Sequence, residues 1–156
     1  MGARICYVSG SVELLCSGAD GEGRFEMLDS SVDTVRVVAD GFLPRTLPAA
    51  TAAGPIALEP APTLWVRLVD ASSGQPLREG QVSVVYSTGR SLGPFPVNAA
   101  GVRIRRLLRP GEARILARVD GFSQHAPSAV LLEPGKEATV TIELRPEPPV
   151  AEPDAP

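Results

Sequence analysis

VRVVADGF at 35–42 recurs in pattern as ILARVDGF at 115–122. Each is an alternating apolar run ending on Asp-Gly-Phe, the pattern of a half-buried strand that runs into a tight bend. Setting Asp40-Gly41-Phe42 on Asp120-Gly121-Phe122 brings other landmarks into line. Upstream, Gly23-Arg24-Phe25 falls near Gly101-Val102-Arg103, and Gly2-Ala3-Arg4-Ile5-Cys6 near Gly80-Gln81-Val82-Ser83-Val84. Downstream, Ile56-Ala57-Leu58-Glu59-Pro60 matches Ile142-Glu143-Leu144-Arg145-Pro146. These landmarks hold register with small changes in length. They predict two tandem copies of one unit of about 80 residues, enough for a small core.

The remaining sequence reads as strand and turn. ATVTIEL (138–144) sets Val140, Ile142 and Leu144 against Thr139, Thr141 and Glu143. RILARV (114–119), VRIRRL (102–107), QVSVVY (81–86) and TVRVV (34–38) alternate in the same way, and LWVRLV (64–69) adds a further strand. No useful stretch keeps apolar residues at helical spacing, so the class predicted is all-β. Arg109-Pro110-Gly111-Glu112 has Pro and Gly in turn positions and would join VRIRRL to RILARV as a hairpin. The divisions predicted are a first β-sandwich unit over 1–61, a second over 62–145, and a Pro-rich acidic tail over 146–156 that cannot bury a core.

The copies differ at their starts. LWVRLVDASSGQPLRE (64–79) precedes Gly80, and Gly2 has no equivalent before it. The first unit is therefore expected to be incomplete, without its opening strand. Truncation, strand donation by a protein partner to the open sheet edge, or a fold that does without the strand would each account for this, truncation being preferred.

The second copy resembles the carboxypeptidase regulatory-like domains. The residues that carry the resemblance are DASSGQPLREGQVSV (70–84), NAAGVRI (98–104), LLRPGEARI (107–115) and RVDGF (118–122). GADGEGRFEM (18–27) and ADGFLPRTL (39–47) carry it more weakly in the first copy. Val97-Asn98 and Ala113 depart from the family pattern. The resemblance implies transthyretin-like (prealbumin-like), seven-stranded Greek-key β-sandwiches, the first one incomplete. It also implies an extracytoplasmic place, in the periplasm or at a cell surface. No signal peptide is visible at the N-terminus, which keeps a cytoplasmic alternative open.

Charge narrows the partners. The chain's net charge is −3, which argues against a nucleic-acid binder. By segment it is −4 over 1–62 (4 basic, 8 acidic), +4 over 63–145 (11 basic, 7 acidic) and −3 over the tail. No run is long enough to span a membrane. If 102–107 and 114–119 pair, Arg103, Arg105, Arg114 and Arg118 share one outward face, a candidate surface for a protein partner or an anionic glycan. Cys6 and Cys16 flank a candidate hairpin. A loop over residues 10–12 would set them opposite one another, with two free, half-buried thiols expected in preference to a disulfide.

No catalytic set is expected. Asp120, Ser123 and His125, the lone histidine, sit on one loop, whereas triad members converge from separate elements. Nothing supplies a tetrahedral metal site or a cofactor loop, and Asp20-Gly21-Glu22-Gly23 offers too few ligands for a cation loop. The function read from the sequence is a non-catalytic interaction or spacer module of a larger surface assembly. The alternative is a carbohydrate- or peptide-binding module that uses loops or the arginine face.

Overall fold

The computed structural model describes residues 3–9, 12–20, 24–25, 33–124 and 126–148. Four strands come first: β1 (Arg4–Ser9), β2 (Val12–Gly18), β3 (Thr34–Val38) and β4 (Arg45–Pro48). They form one antiparallel sheet in the order β2-β1-β3-β4. The β1–β2 turn differs from the expected loop over 10–12, because Val12 already pairs with Ser9. A bulge between Tyr7 and Val8 takes up the difference and leaves Cys6 opposite Cys16. A short 3-10 turn at Ala49–Thr51 follows, then chain without regular structure as far as Pro60.

Ile5, Val35 and Val37 are buried on one face of this sheet, beneath Phe25, Leu47, Ala49, Ala52, Ile56 and Leu58.

Eight strands make up the rest: β5 (Thr63–Asp70), β6 (Glu79–Tyr86), β7 (Ser91–Asn98), β8 (Val102–Ile104), β9 (Gly111–Arg118), β10 (Phe122–Gln124), β11 (Ser128–Leu132) and β12 (Glu137–Pro146). They form two sheets, β10-β12-β5-β8 and β11-β9-β6-β7, with β5 and β12 parallel. The alternation seen in the sequence places one row of each strand inward. Leu64, Val66, Leu68, Ile142 and Leu144 of one sheet meet Val82, Val84, Ile115 and Leu132 of the other in a single core. The all-β sandwich class is what the structure has, although this unit carries eight strands where seven were expected.

The order β7-β6-β9-β11 repeats the order β2-β1-β3-β4 of the first sheet. Val35 and Ile115, which coincide when the Asp-Gly-Phe corners are superposed, are both fully buried. β5, the strand without a counterpart before Gly2, belongs to the opposite sheet. Among the described residues the first unit has no strands of that opposite sheet.

The hairpin expected between 102–107 and 114–119 is not formed. β8 pairs with β5 in one sheet, while β9 pairs with β6 and β11 in the other. The intervening chain crosses between the layers, and buried Leu108 fixes the crossing. The tail also begins later than expected. β12 runs to Pro146, and the Glu147 N–H donates to the Gly121 carbonyl at 2.8 Å.

The turn after β5 shows how a local motif sets a titration. Asp70 Oδ1 accepts from the Ser72 N–H (2.8 Å) and Ser72 Oγ (2.5 Å), and Oδ2 accepts from Ser73 Oγ (2.8 Å). The Ser72 side chain first, then its backbone N–H and the Ser73 hydroxyl, lower the Asp70 pKa below the ordinary value of 3.8. A carboxyl whose folded pKa is depressed stabilises the fold fully above its unfolded pKa, and this is lost as pH falls through the folded value. Asp70→Asn should therefore lower the melting temperature at pH 7, and the gap from wild type should close as pH drops below about 3.8. Melting curves across that range check this; a gap independent of pH would contradict it.

Candidate functional site

The repeated corner builds the junction between the two units. The Phe42 N–H donates to the Ala39 carbonyl at 3.2 Å, and the Phe122 N–H donates to the Val119 carbonyl at 3.1 Å. In each turn the glycine is left-handed, with φ of 82° at Gly41 and 76° at Gly121, which side chains disfavour. Each glycine carbonyl then holds the end of its own unit. Gly41 accepts from the Ala61 N–H at 2.9 Å, and Gly121 accepts from the Glu147 N–H at 2.8 Å. Phe42 pairs with Pro60, and Phe122 with Pro146.

The two phenylalanines then diverge. Phe122 packs against the sandwich core, while Phe42 is 42% exposed and lines a cleft between the units.

The cleft encloses about 230 Å³. One wall is the outward face of the first sheet with its corner, and contributes Arg4, Arg36, Val38 and Asp40. Arg4 pairs with Val38 and Cys6 with Arg36 across β1–β3, so the two arginines are diagonal neighbours on one face. The opposite wall is Arg90 and the crossing loop RRLLR (105–109). Six arginines thus line the cleft, and Asp40, the one acidic residue in its described lining, pairs with Arg106 Nη2 at 3.2 Å across the junction.

The crossing loop is anchored from within. Leu108 is buried in the core, and the Arg109 N–H donates to the Tyr86 hydroxyl at 2.9 Å. The hydroxyl donates back to the Arg109 carbonyl at 3.3 Å. Beside these anchors Leu107 is left-handed, with φ of 68°, and is 65% exposed. A left-handed leucine costs about 1–2 kcal/mol, a strain of the kind that collects at binding loops.

The four arginines expected on one face are dispersed. Arg103 pairs with Glu137 at 3.1 Å and lies over the Trp65 ring at 5.3 Å, with Arg67 over the same ring at 3.9 Å. Trp65 is therefore covered by two cations and is not an open stacking platform. Arg114 and Arg118 stand exposed on β9 in the other sheet, and Arg105 lines the cleft. The sequence reading found Arg105 but missed Arg4, Arg36, Arg90, Arg106 and Arg109. The run RRLLR was the one local signal that could have drawn attention.

Cys6 and Cys16 are joined by a disulfide, which replaces the free thiols expected, because the bulged β1–β2 register sets them face to face. The bond lies on the same side of the sheet as Arg4 and Arg36. Asp120 ends the β9 corner and Ser123 is exposed on β10, while His125 lies outside the described residues. Residues 21–23 of the acidic loop also lie outside them. Among the described residues no group of three or more His, Cys, Asp or Glu side chains could hold a metal ion. Among the described residues no helix is long and apolar enough to cross a membrane.

No family model matches the chain, and no curated protein does. Among solved structures it is similar to a point variant of the shaft pilin spaA from Lactobacillus rhamnosus GG. That match has a TM-score of 0.51 at 9% identity and covers 96% of this chain and 95% of that one. The Bacillus anthracis TIE protein matches with a TM-score of 0.50 at 12% identity over 93% of this chain, which spans only 31% of that one. At these identities the likeness is one of fold.

Proposed function

We propose that the chain is a non-catalytic spacer and interaction module of a larger surface assembly. In this reading it consists of two tandem units, 1–61 and 62–145, followed by the Pro-rich acidic tail. The observation that carries it is the clamped linker. On the first-unit side the Leu43 N–H donates to the Glu59 carbonyl at 2.7 Å, and the Ala61 N–H to the Gly41 carbonyl at 2.9 Å. On the other side the Gly135 N–H donates to the Pro60 carbonyl at 3.1 Å, and the Thr63 N–H to the Lys136 carbonyl at 2.9 Å. With Pro60 and Pro62 stiffening the same segment, the connection suits a spacer that transmits position and not a flexible tether.

Other features agree with this reading. The same strand order and the same corner hydrogen bonds in both units support tandem copies of one ancestral sandwich, as the carboxypeptidase regulatory-like resemblance implies. The disulfide suits an oxidising, extracytoplasmic compartment. One fold neighbour is by name a shaft pilin. A donated strand, if a partner supplies one, would enter beside Ile56 and Leu58 over the first sheet. The carbohydrate-binding alternative loses support because Trp65 is covered and the arginine face is split.

Amide hydrogen exchange tests the clamp. The amides of Leu43, Ala61, Thr63 and Gly135 should be protected to within about tenfold of β3 strand amides, and small-angle scattering should fit one shape. Exchange of these amides at open-chain rates, or scattering that requires an ensemble of unit orientations, would overturn the spacer reading.

A further inference from the structure

We propose that the junction cleft is a binding site for a compact polyphosphate, a ligand whose phosphate groups are directly linked and carry several charges within a few ångströms. The inference rests on the cleft and not on the spacer reading. Arg4, Arg36, Arg90, Arg105, Arg106 and Arg109 line one small space with Asp40 as the opposing charge. Arg106 is paired with Asp40, but Arg4, Arg90, Arg105 and Arg109 form no salt bridge with any described residue. Like charges gathered this closely repel one another unless an anion lies between them.

The backbone that carries these arginines is also positioned in advance. Arg4 and Arg36 stand on a sheet face whose register is fixed beside the Cys6–Cys16 bond. Arg105, Arg106 and Arg109 stand on a loop fixed by Leu108 in the core and by Tyr86 at the Arg109 backbone. Two units converge on one space, and the strained Leu107 lies in the middle of the loop that provides half of it. Ligand binding would not have to order the loop and strands that carry these side chains, so less affinity is lost to entropy.

Size and charge density select the ligand. The cleft is small, with a volume of about 230 Å³. An extended acidic peptide presents same-side carboxylates about 7 Å apart, so one or two would fit and most of the positive charge would stay uncompensated. Linked phosphates put several charges in that span, and each offers oxygens to more than one arginine fork. The chain's net charge of −3 gives polyanions no general attraction, so binding would be confined to this locus.

Isothermal titration of the whole chain with sodium tripolyphosphate tests the site, with inorganic phosphate and a deca-glutamate peptide as comparison ligands. Wild type should bind one tripolyphosphate, more tightly than either comparison ligand by at least tenfold. The triple variant Arg90→Gln, Arg105→Gln, Arg109→Gln replaces exposed side chains and should keep its circular dichroism and melting temperature. It should weaken binding by about 100-fold or more, at roughly fivefold or more for each of the three lost guanidiniums. Arg114→Gln with Arg118→Gln, on the outer face of β9, should change affinity less than twofold. Absence of saturable binding by wild type, equal loss in the outer-face variant, or equal affinity for deca-glutamate would each overturn the proposal.

Discussion

Gly101→Ala should destabilise the second sandwich by about 3 kcal/mol or more, the sum of a left-handed backbone penalty and a steric clash with main chain. Gly101 has φ of 89°, and a Cβ there would stand 2.5 Å from the Val66 carbonyl oxygen and 2.9 Å from Trp65 Nε1. The Val66 oxygen belongs to the central strand β5, paired on both sides, so it cannot retreat without disturbing two neighbours. Gly121→Ala is the comparison. It is also left-handed, at 76°, but nothing lies within 4 Å of its would-be Cβ. Its loss should be about 1 kcal/mol. In a unit of this size each kcal/mol moves the melting temperature by roughly 4–8 °C. Gly101→Ala should therefore fall by more than about 12 °C and Gly121→Ala by much less. Equal shifts would mean that the contact with β5 is not as close as described.

Gly101 also shows which parts of the fold were legible in the sequence. Gly101 was legible as a landmark of the family resemblance in NAAGVRI (98–104), and Asp-Gly-Phe as a tight bend, because a bend's residue types answer to backbone geometry. Strands with one buried row were readable as well: in β12, Ile142 and Leu144 are buried while Thr141 and Glu143 are exposed. SLGPFPVN gave no such signal, since Pro94 and Pro96 interrupt it. It is a strand because β7 lies at the edge of its sheet, where missing donors are tolerated. The error at 102–119 had a different origin. Both runs alternate, and Pro110-Gly111 between them is good turn chemistry, but period two does not reveal which of two layers a strand joins. That was decided by Leu107 and Leu108, one turned left-handed to solvent and the other driven into the core. The cleft was less legible still. Its arginines are scattered from position 4 to position 109, and only the docking of the two units brings them together.

Reduction of the Cys6–Cys16 bond should unfold the first unit while leaving the second folded. The bond closes a loop with a sequence separation of 10. A cross-link of that span removes denatured-state entropy equivalent to about 2.5–3 kcal/mol. The two units differ in what else supports them. Among the described residues the second has a core of fifteen buried residues drawn from two sheets, whereas the first has a buried apolar cluster of three, Ile5, Val35 and Val37. A unit of about 60 residues is marginal even with a full core, so the cross-link accounts for a large share of its stability.

In calorimetry with a phosphine reductant, the transition assigned to residues 4–48 should vanish or fall by more than about 15 °C. The transition of the second sandwich should move by only a few degrees, and Cys6→Ala with Cys16→Ala should behave like the reduced protein. Because Arg36 lies directly opposite Cys6 and Arg4 precedes it on the same face, reduction should also remove one wall of the cleft. Tripolyphosphate affinity should then fall together with the first transition. Both transitions persisting unchanged, with mass spectrometry showing two free thiols, would mean that the packing of Phe25, Ile56 and Leu58 over Ile5, Val35 and Val37 suffices without the cross-link.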